Sequence, residues 1–274
     1  MNGELAQIIC LATHGSVWLA DATRPAPPAL DQGNSTFQYV GSLQFRFRDR
    51  QAGPESRAGT VADWLLQLRQ RRVERLWLVI PEVKPVTLEG QAADEHELAG
   101  FANAGRWTLV TAGGPQPEAW RASWAVGDRD APGHRIWAVR YEGEPAGQVV
   151  PQCPDLNVAG EQLERSVRSA REFAARHGLD TWVAWFDRAL ASSSDIPYHP
   201  DMLPAAYPPD SRRVAAAAAQ AWVFGAMGSW NDLWFADGAV QREYRELSRR
   251  LYAAVLQAFL ASANDGLRTA GEDR

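Results

Sequence analysis

An α+β fold, with an antiparallel-rich sheet of about six strands followed by a four-helix C-terminal region, is what this sequence of 274 residues predicts. Three observations carry that expectation. Apolar and polar residues alternate with period 2 through the first half, and the period turns helical after Pro151. The composition, 46% hydrophobic and 22% charged, is that of an ordinary globular chain, able to bury a core without staples. The change of period separates a β-rich α+β region, 1–150, from a helical region, 151–274. It is not a linker, and the two regions are expected to dock into one cooperative unit.

The elements follow in order. Residues 6–13 and 16–20 read as two short strands joined across His14-Gly15, a plausible hairpin. Residues 24–34 form a Pro-rich loop. From Phe37 to Phe47 every second residue is Phe37, Tyr39, Gly41, Leu43, Phe45 and Phe47, the signature of a strand with one wet face and a bend at Gly41. Thr60 opens a helix with Asp63 three residues on, and Val61, Trp64, Leu65 and Leu68 form its apolar stripe. The continuous apolar run 76–80 reads as a buried strand and 95–104 as a short helix. A further strand spans 106–111, and 120–126 pairs with 136–141 as an antiparallel hairpin.

Beyond Pro151, Leu163, Val167, Ala170 and Phe173 make one helical stripe. Glu161–Arg165, Glu164–Arg168 and Glu172–Arg176 lie four apart on its wet face. Gly178 ends this helix and Asp180 caps the next, whose stripe runs from Trp182 to Leu190. After a Pro-rich coil over 196–209, Asp210 is expected to cap an Ala-rich, buried helix reaching Phe224. The final helix spans 239–263.

Charge and composition exclude several roles. Lys84 is the only lysine among 28 basic residues. Arginine suits phosphates and carboxylates, but scarce lysine with abundant Ala, Gly and Pro fits a GC-rich, bacterial coding sequence better. A net charge of −5 argues against a nucleic-acid partner. No segment is long and apolar enough for a membrane span, and the first 14 residues lack the basic start of a secretory leader, so a soluble, cytoplasmic chain is expected. Cys10 and Cys153 fit no metal or redox spacing and read as free thiols.

Phosphate-loop, nucleophile-elbow and paired CxxC signatures are absent, and no cofactor or metal is expected. His96-Glu97-Leu98-Ala99-Gly100 begins like a zinc-protease motif, but Gly100 stands where the second imidazole is needed. His199-Pro200-Asp201, with Asp195 nearby in the Pro-rich coil, is the acid–base candidate and carries the alternative of a hydrolase, metal-assisted if further carboxylates converge. The 12 tryptophans favour core over a stacking platform, because Trp64, Trp77, Trp182, Trp185 and Trp222 lie on apolar stripes or runs. Gly228 to Phe235 joins the last two helices. There Trp230, Asn231 and Asp232 are the candidate partner-binding residues, with Trp230 expected at the surface and Trp234 and Phe235 packed inward. The leading reading is a non-catalytic binding protein that masks or neutralises another protein.

Overall fold

The computed structural model describes residues 1–48, 56–80, 86–88, 91–147, 149–191, 201–225 and 228–265. Its helices are α1 (Gly3–Leu19), α2 (Val61–Gln70), α3 (Glu95–Leu98), α4 (Leu156–Arg176), α5 (Asp180–Ala191), α6 (Pro209–Ala221) and α7 (Gly238–Asp265). Its strands are β1 (Val40–Phe47), β2 (Ser56–Ala58), β3 (Val73–Val79), β4 (Val86–Leu88), β5 (Gln91–Ala93), β6 (Thr108–Gly113), β7 (Glu118–Val126) and β8 (Trp137–Pro145). Six of the strands form one sheet in the order β2-β1-β8-β7-β6-β3, and β4 and β5 pair separately. The class is α+β with a helical C-terminal region, as expected. The sheet is mixed, however, because β1 runs parallel to β8 with Phe45 opposite Tyr141.

Alternation builds this sheet. Phe45 and Phe47 of β1 are buried, while Arg46 between them is half-buried. On the inner face Trp64 of α2 stacks on Phe45 at 4.5 Å, Phe45 stacks on Tyr141 at 5.1 Å, and Trp120 meets Trp64 edge-on at 5.4 Å. On the outer face Arg48 pairs with Glu142 at 2.6 Å and with Glu144 at 2.8 Å. The bend expected at Gly41 is a bulge: the β1–β8 register shifts between Val40 and Ser42, and a Cβ on Gly41 would lie 2.3 Å from the Arg135 carbonyl oxygen.

The largest correction concerns the first element. Residues 6–13 and 16–20 are not a hairpin but parts of α1. This helix is buried on nearly every side, so it shows no polar face and no 3.6-residue period to announce it. Gly15 is not a turn residue either. A Cβ there would lie 2.6 Å from Leu76 Cδ1 and 3.1 Å from Leu65 Cδ2, so glycine lets α1 approach β3 and α2 closely. The start signal is Asn2, whose side chain accepts from the Glu4 and Leu5 N–H groups at 2.8 and 3.4 Å.

Smaller differences have local causes. Instead of reaching residue 104, α3 ends at Leu98, and Asn103 takes a left-handed φ of 64° in the loop that follows. Pro209, not Asp210, opens α6, and Asp210 sits in its first turn on Arg213 at 2.8 Å. The same helix stops at Ala221 and leaves Trp222 extended, with its indole N–H on Phe224 O at 2.6 Å. Glu164–Arg168 forms as expected at 2.6 Å, but Arg176 reaches across to Glu243 of α7.

A continuous apolar cluster includes Phe45, Trp64, Trp120 and Tyr141 from the sheet side together with Phe173, Phe186, Phe224, Trp230 and Phe259 from the helices. The C-terminal half of α7, from Leu251 on, is buried almost throughout and packs on α4, α6, β3 and α1. Among the described residues no helix is long and apolar enough to cross a membrane.

A tryptophan-lined cavity as the candidate functional site

Between the N-terminus of α1, strands β7 and β8, and helices α5 and α6 lies a cavity of about 670 Å³. That is within the usual range for small-molecule sites. Five of the protein's 12 tryptophans line it: Trp124, Trp137, Trp182, Trp185 and Trp222. Residues 99–102 form one lip, where Phe101 is 58% exposed. The run 223–225, with Gly228 and Ser229, forms the other.

The walls are made by ordinary secondary structure. Trp124 and Trp137 sit on neighbouring strands, diagonal to one another across the β7–β8 pairing, with ring centroids 5.8 Å apart at 67°. Trp182 and Trp185, three apart on α5, contribute a second angled pair at 6.3 Å and 59°. Hydrogen bonds fix the orientations: Trp185 Nε1 donates to Gln220 O at 2.7 Å, and Trp222 is held by Phe224 O as above. Trp124 Nε1 is buried without a hydrogen-bond partner among the described residues.

Among the described residues Glu4 is the one acidic side chain at the cavity. Asn2 anchors the helix start beneath it and also donates from Nδ2 to Ala99 O at 2.9 Å, tying the lip down. Asn103 completes the brace. Its backbone N–H donates to Glu4 Oε2 at 3.1 Å, its Nδ2 donates to Trp124 O at 2.8 Å, and its Oδ1 accepts from Trp124 N at 2.7 Å. Glu4 Oε1 takes part in no hydrogen bond among the described residues and stays accessible. Burial pushes the Glu4 carboxyl up from its ordinary 4.5 to about 7, against the opposing pull of the Asn103 N–H.

The residues singled out from sequence lie elsewhere. His199 and Asp195 are outside the described residues. Asp201 is a clasp: its carboxylate accepts from the Ser35 N–H at 2.7 Å and from the Ser35 hydroxyl. Its backbone oxygen lies 3.0 Å from His14 Nε2 and 3.1 Å from the Asn34 amide that donates to it. Cys10, beside this clasp, is buried and its thiol is pushed up to about 12 by that burial. Neither cysteine forms a disulfide among the described residues.

Trp230 is the second correction. It is fully buried, not at the surface, while Trp234 is 75% exposed instead of packed inward. Ser229 caps a single 3-10 turn, Trp230–Asp232, which drives the indole into a nest of Trp182, Phe186 and Tyr244 at 5.2–5.5 Å. There Nε1 finds a partner, Ser248 Oγ, at 2.8 Å. Asn231 Nδ2 donates to His96 O at 2.8 Å, and Asp232 accepts from the Ser229 N–H at 3.0 Å. Phe235 does pack inward, edge-on to Phe173 at 5.4 Å.

Asp94, His96 and Glu97 bring their ligand atoms within 4.8 Å of one another. Each acid is already used: Asp94 pairs with Arg249 at 3.3 Å, and Glu97 accepts from the Asp94 N–H at 3.3 Å in the helix cap. His96 packs edge-on to Phe224 at 5.8 Å, and its imidazole is held below its ordinary range by burial. Gly100, where a second zinc-binding imidazole would stand, lines the cavity lip.

Sequence reading missed the cavity because its tryptophans come from four separate segments that only the tertiary fold joins. No protein-family model matches the chain, and neither does any curated protein or any solved structure.

Proposed function

We propose that the protein is a binding protein whose ligand is a small organic molecule held in the tryptophan-lined cavity. The observation that carries this reading is the gathering of five indoles around a preformed space of about 670 Å³. Large, rigid aromatic walls with few polar groups are how small-molecule sites gain affinity, since little is ordered on binding. The half-buried state of Trp124, Trp137, Trp182 and Trp185 supports it, because core tryptophans close around one another instead of around a space.

The expectation of a protein that masks a partner loses its anchor with Trp230 in the core. What supports it as a second reading is Trp234, whose indole is three-quarters exposed. The hydrolase alternative would draw on His199 and Asp195, with Asp201 already engaged by Ser35.

A thermal-shift screen of small aromatic and aliphatic compounds against the full chain tests the proposal. Compounds that raise the melting temperature of the wild type should lose that effect in Trp137→Ala and Trp185→Ala. A screen whose only hits stabilise both variants equally would sink the reading.

A further inference from the structure

The geometry points to an organic ammonium, a cation carrying an apolar or aromatic body, as the ligand of this cavity, with Glu4 as its counter-ion and the indoles as its walls. This deepens the small-molecule reading and rests on it.

The argument begins with charge. Among the described residues Glu4 is the only ionisable side chain lining the cavity, with no Arg, Lys or His beside it, and the Met1 amine that shares the lining is lowered by burial to about 5 and so is neutral at pH 7. It is 4% exposed, with one carboxylate oxygen held by Asn103 and the other without a hydrogen-bond partner. That second oxygen remains accessible from the cavity, where a ligand's cationic group can meet it.

The second line is the aromatic surface. Indole faces attract cations more strongly than any other side-chain ring, and more so where water is excluded. Elsewhere this protein uses that attraction internally: Arg69 lies over Trp18 at 3.1 Å and Arg75 over Trp77 at 3.6 Å. In the cavity only Trp185 is so occupied, by Arg188 at 5.1 Å. Trp124, Trp137, Trp182 and Trp222 carry no cation among the described residues. The half-buried indoles of Trp124, Trp137 and Trp182 around one carboxylate are complementary to an ammonium.

Two effects oppose this and are smaller. The positive end of α1 lies beneath Glu4 and disfavours a cation by a factor of about two to five. A single desolvated indole contact favours it by roughly thirtyfold. The volume settles the size: about 670 Å³ holds a ligand with an apolar body beyond the ammonium group.

Proton linkage adds a readout. The Glu4 carboxyl, raised to about 7, is only partly ionised at neutral pH, so a cation that needs the carboxylate binds more tightly as the pH rises. The other titratable groups nearby stay silent in that window. Tyr141 is held well above 10 by burial, and the Met1 amine is lowered to about 5.

The test uses phenyltrimethylammonium, whose charge does not titrate, and its neutral isostere tert-butylbenzene, with binding to the full chain followed by tryptophan fluorescence. Glu4→Gln should weaken the cation about tenfold or more and leave the isostere within about twofold. In the wild type the cation should bind about tenfold more tightly at pH 8 than at pH 6, while the isostere does not gain. The pH arm stands even where Glu4→Gln fails to fold. Binding of the isostere alone, or of a cation indifferent to both Glu4 and pH, overturns the ammonium inference and leaves the cavity reading intact. Failure of both probes to bind overturns both.

Discussion

The side-chain amide of Asn264 pairs with the backbone of Leu78 in both directions. Nδ2 donates to Leu78 O at 2.9 Å, and Oδ1 accepts from the Leu78 N–H at 3.0 Å. Leu78 lies on β3, the edge of the sheet, so Asn264 stands in for one residue of a missing neighbour strand. Two residues along, Ser16 does the same for Leu76, its hydroxyl both accepting from the N–H and donating to the carbonyl at 2.9 Å. The edge is thereby closed by side chains from α7 and α1 instead of being left as a template for further pairing.

Asn264→Leu preserves side-chain size and removes both bonds. It strands a buried N–H and a buried carbonyl at Leu78 and the bond to Gln152 O as well. The expected cost is about 2–6 kcal/mol, and urea denaturation measures it. A loss below about 0.5 kcal/mol would mean that water replaces the amide.

The two tryptophans of the corner should separate cleanly. Trp230→Ala empties a fully buried aromatic site and abandons the Ser248 hydroxyl, at an expected cost of about 3–5 kcal/mol. Trp234→Ala removes a largely exposed side chain and should change stability by no more than about 0.5 kcal/mol. Equal effects in thermal or denaturant unfolding would contradict the placement of these rings.

Glu4 makes stability depend on pH with a definite sign. Its folded-state carboxyl holds a proton more tightly than the unfolded one, because burial penalises the charge. The contribution is fully present below pH 4.5 and is lost as the pH climbs to about 7. The expected loss is on the order of 3 kcal/mol across that window. Glu4→Gln should flatten it and be the more stable protein at pH 8. Parallel stability profiles for the two proteins would refute the placement of this carboxyl.

The two halves should not be separable. A fragment of residues 152–274 keeps α4 to α7 but bares the buried end of α7 where it meets β3 and α1. We expect a loosely packed or aggregating species without a cooperative melt, and calorimetry on the purified fragment decides. A sharp transition with a calorimetric enthalpy equal to the van't Hoff value would show an independent domain.

Much of the fold was legible because exposure leaves a pattern. Phe45 and Phe47 alternate with Gln44 and Arg46 on a half-wet strand, and α4 shows its stripe and its charged face. Legibility failed where exposure does: α1 is enclosed, so nothing polar marks its period, and Gly15 imitates a turn when its task is to save space. The corner misled for a related reason. Hydrophobicity cannot rank Trp230 against Trp234; the Ser229-capped turn does, by aiming the Trp230 indole at Trp182, Phe186 and Tyr244. The cavity was out of reach because Glu4, Trp124 and Trp185 are distant in sequence and only the fold makes them neighbours.

Closing an edge strand with Asn264 also has a consequence in time. Leu78 and Asn264 are 186 residues apart, and a ribosome delivers them in that order. Until the last helix emerges, β3 presents the N–H and carbonyl of Leu78 unclaimed, with only Leu76 already met by Ser16 of α1. At roughly 5–20 residues per second that interval lasts on the order of ten seconds or more, ample for a holdase to bind or for two nascent chains on one messenger to pair edge to edge. Slow codons between Leu78 and Asn264 would lengthen that interval without changing a single residue.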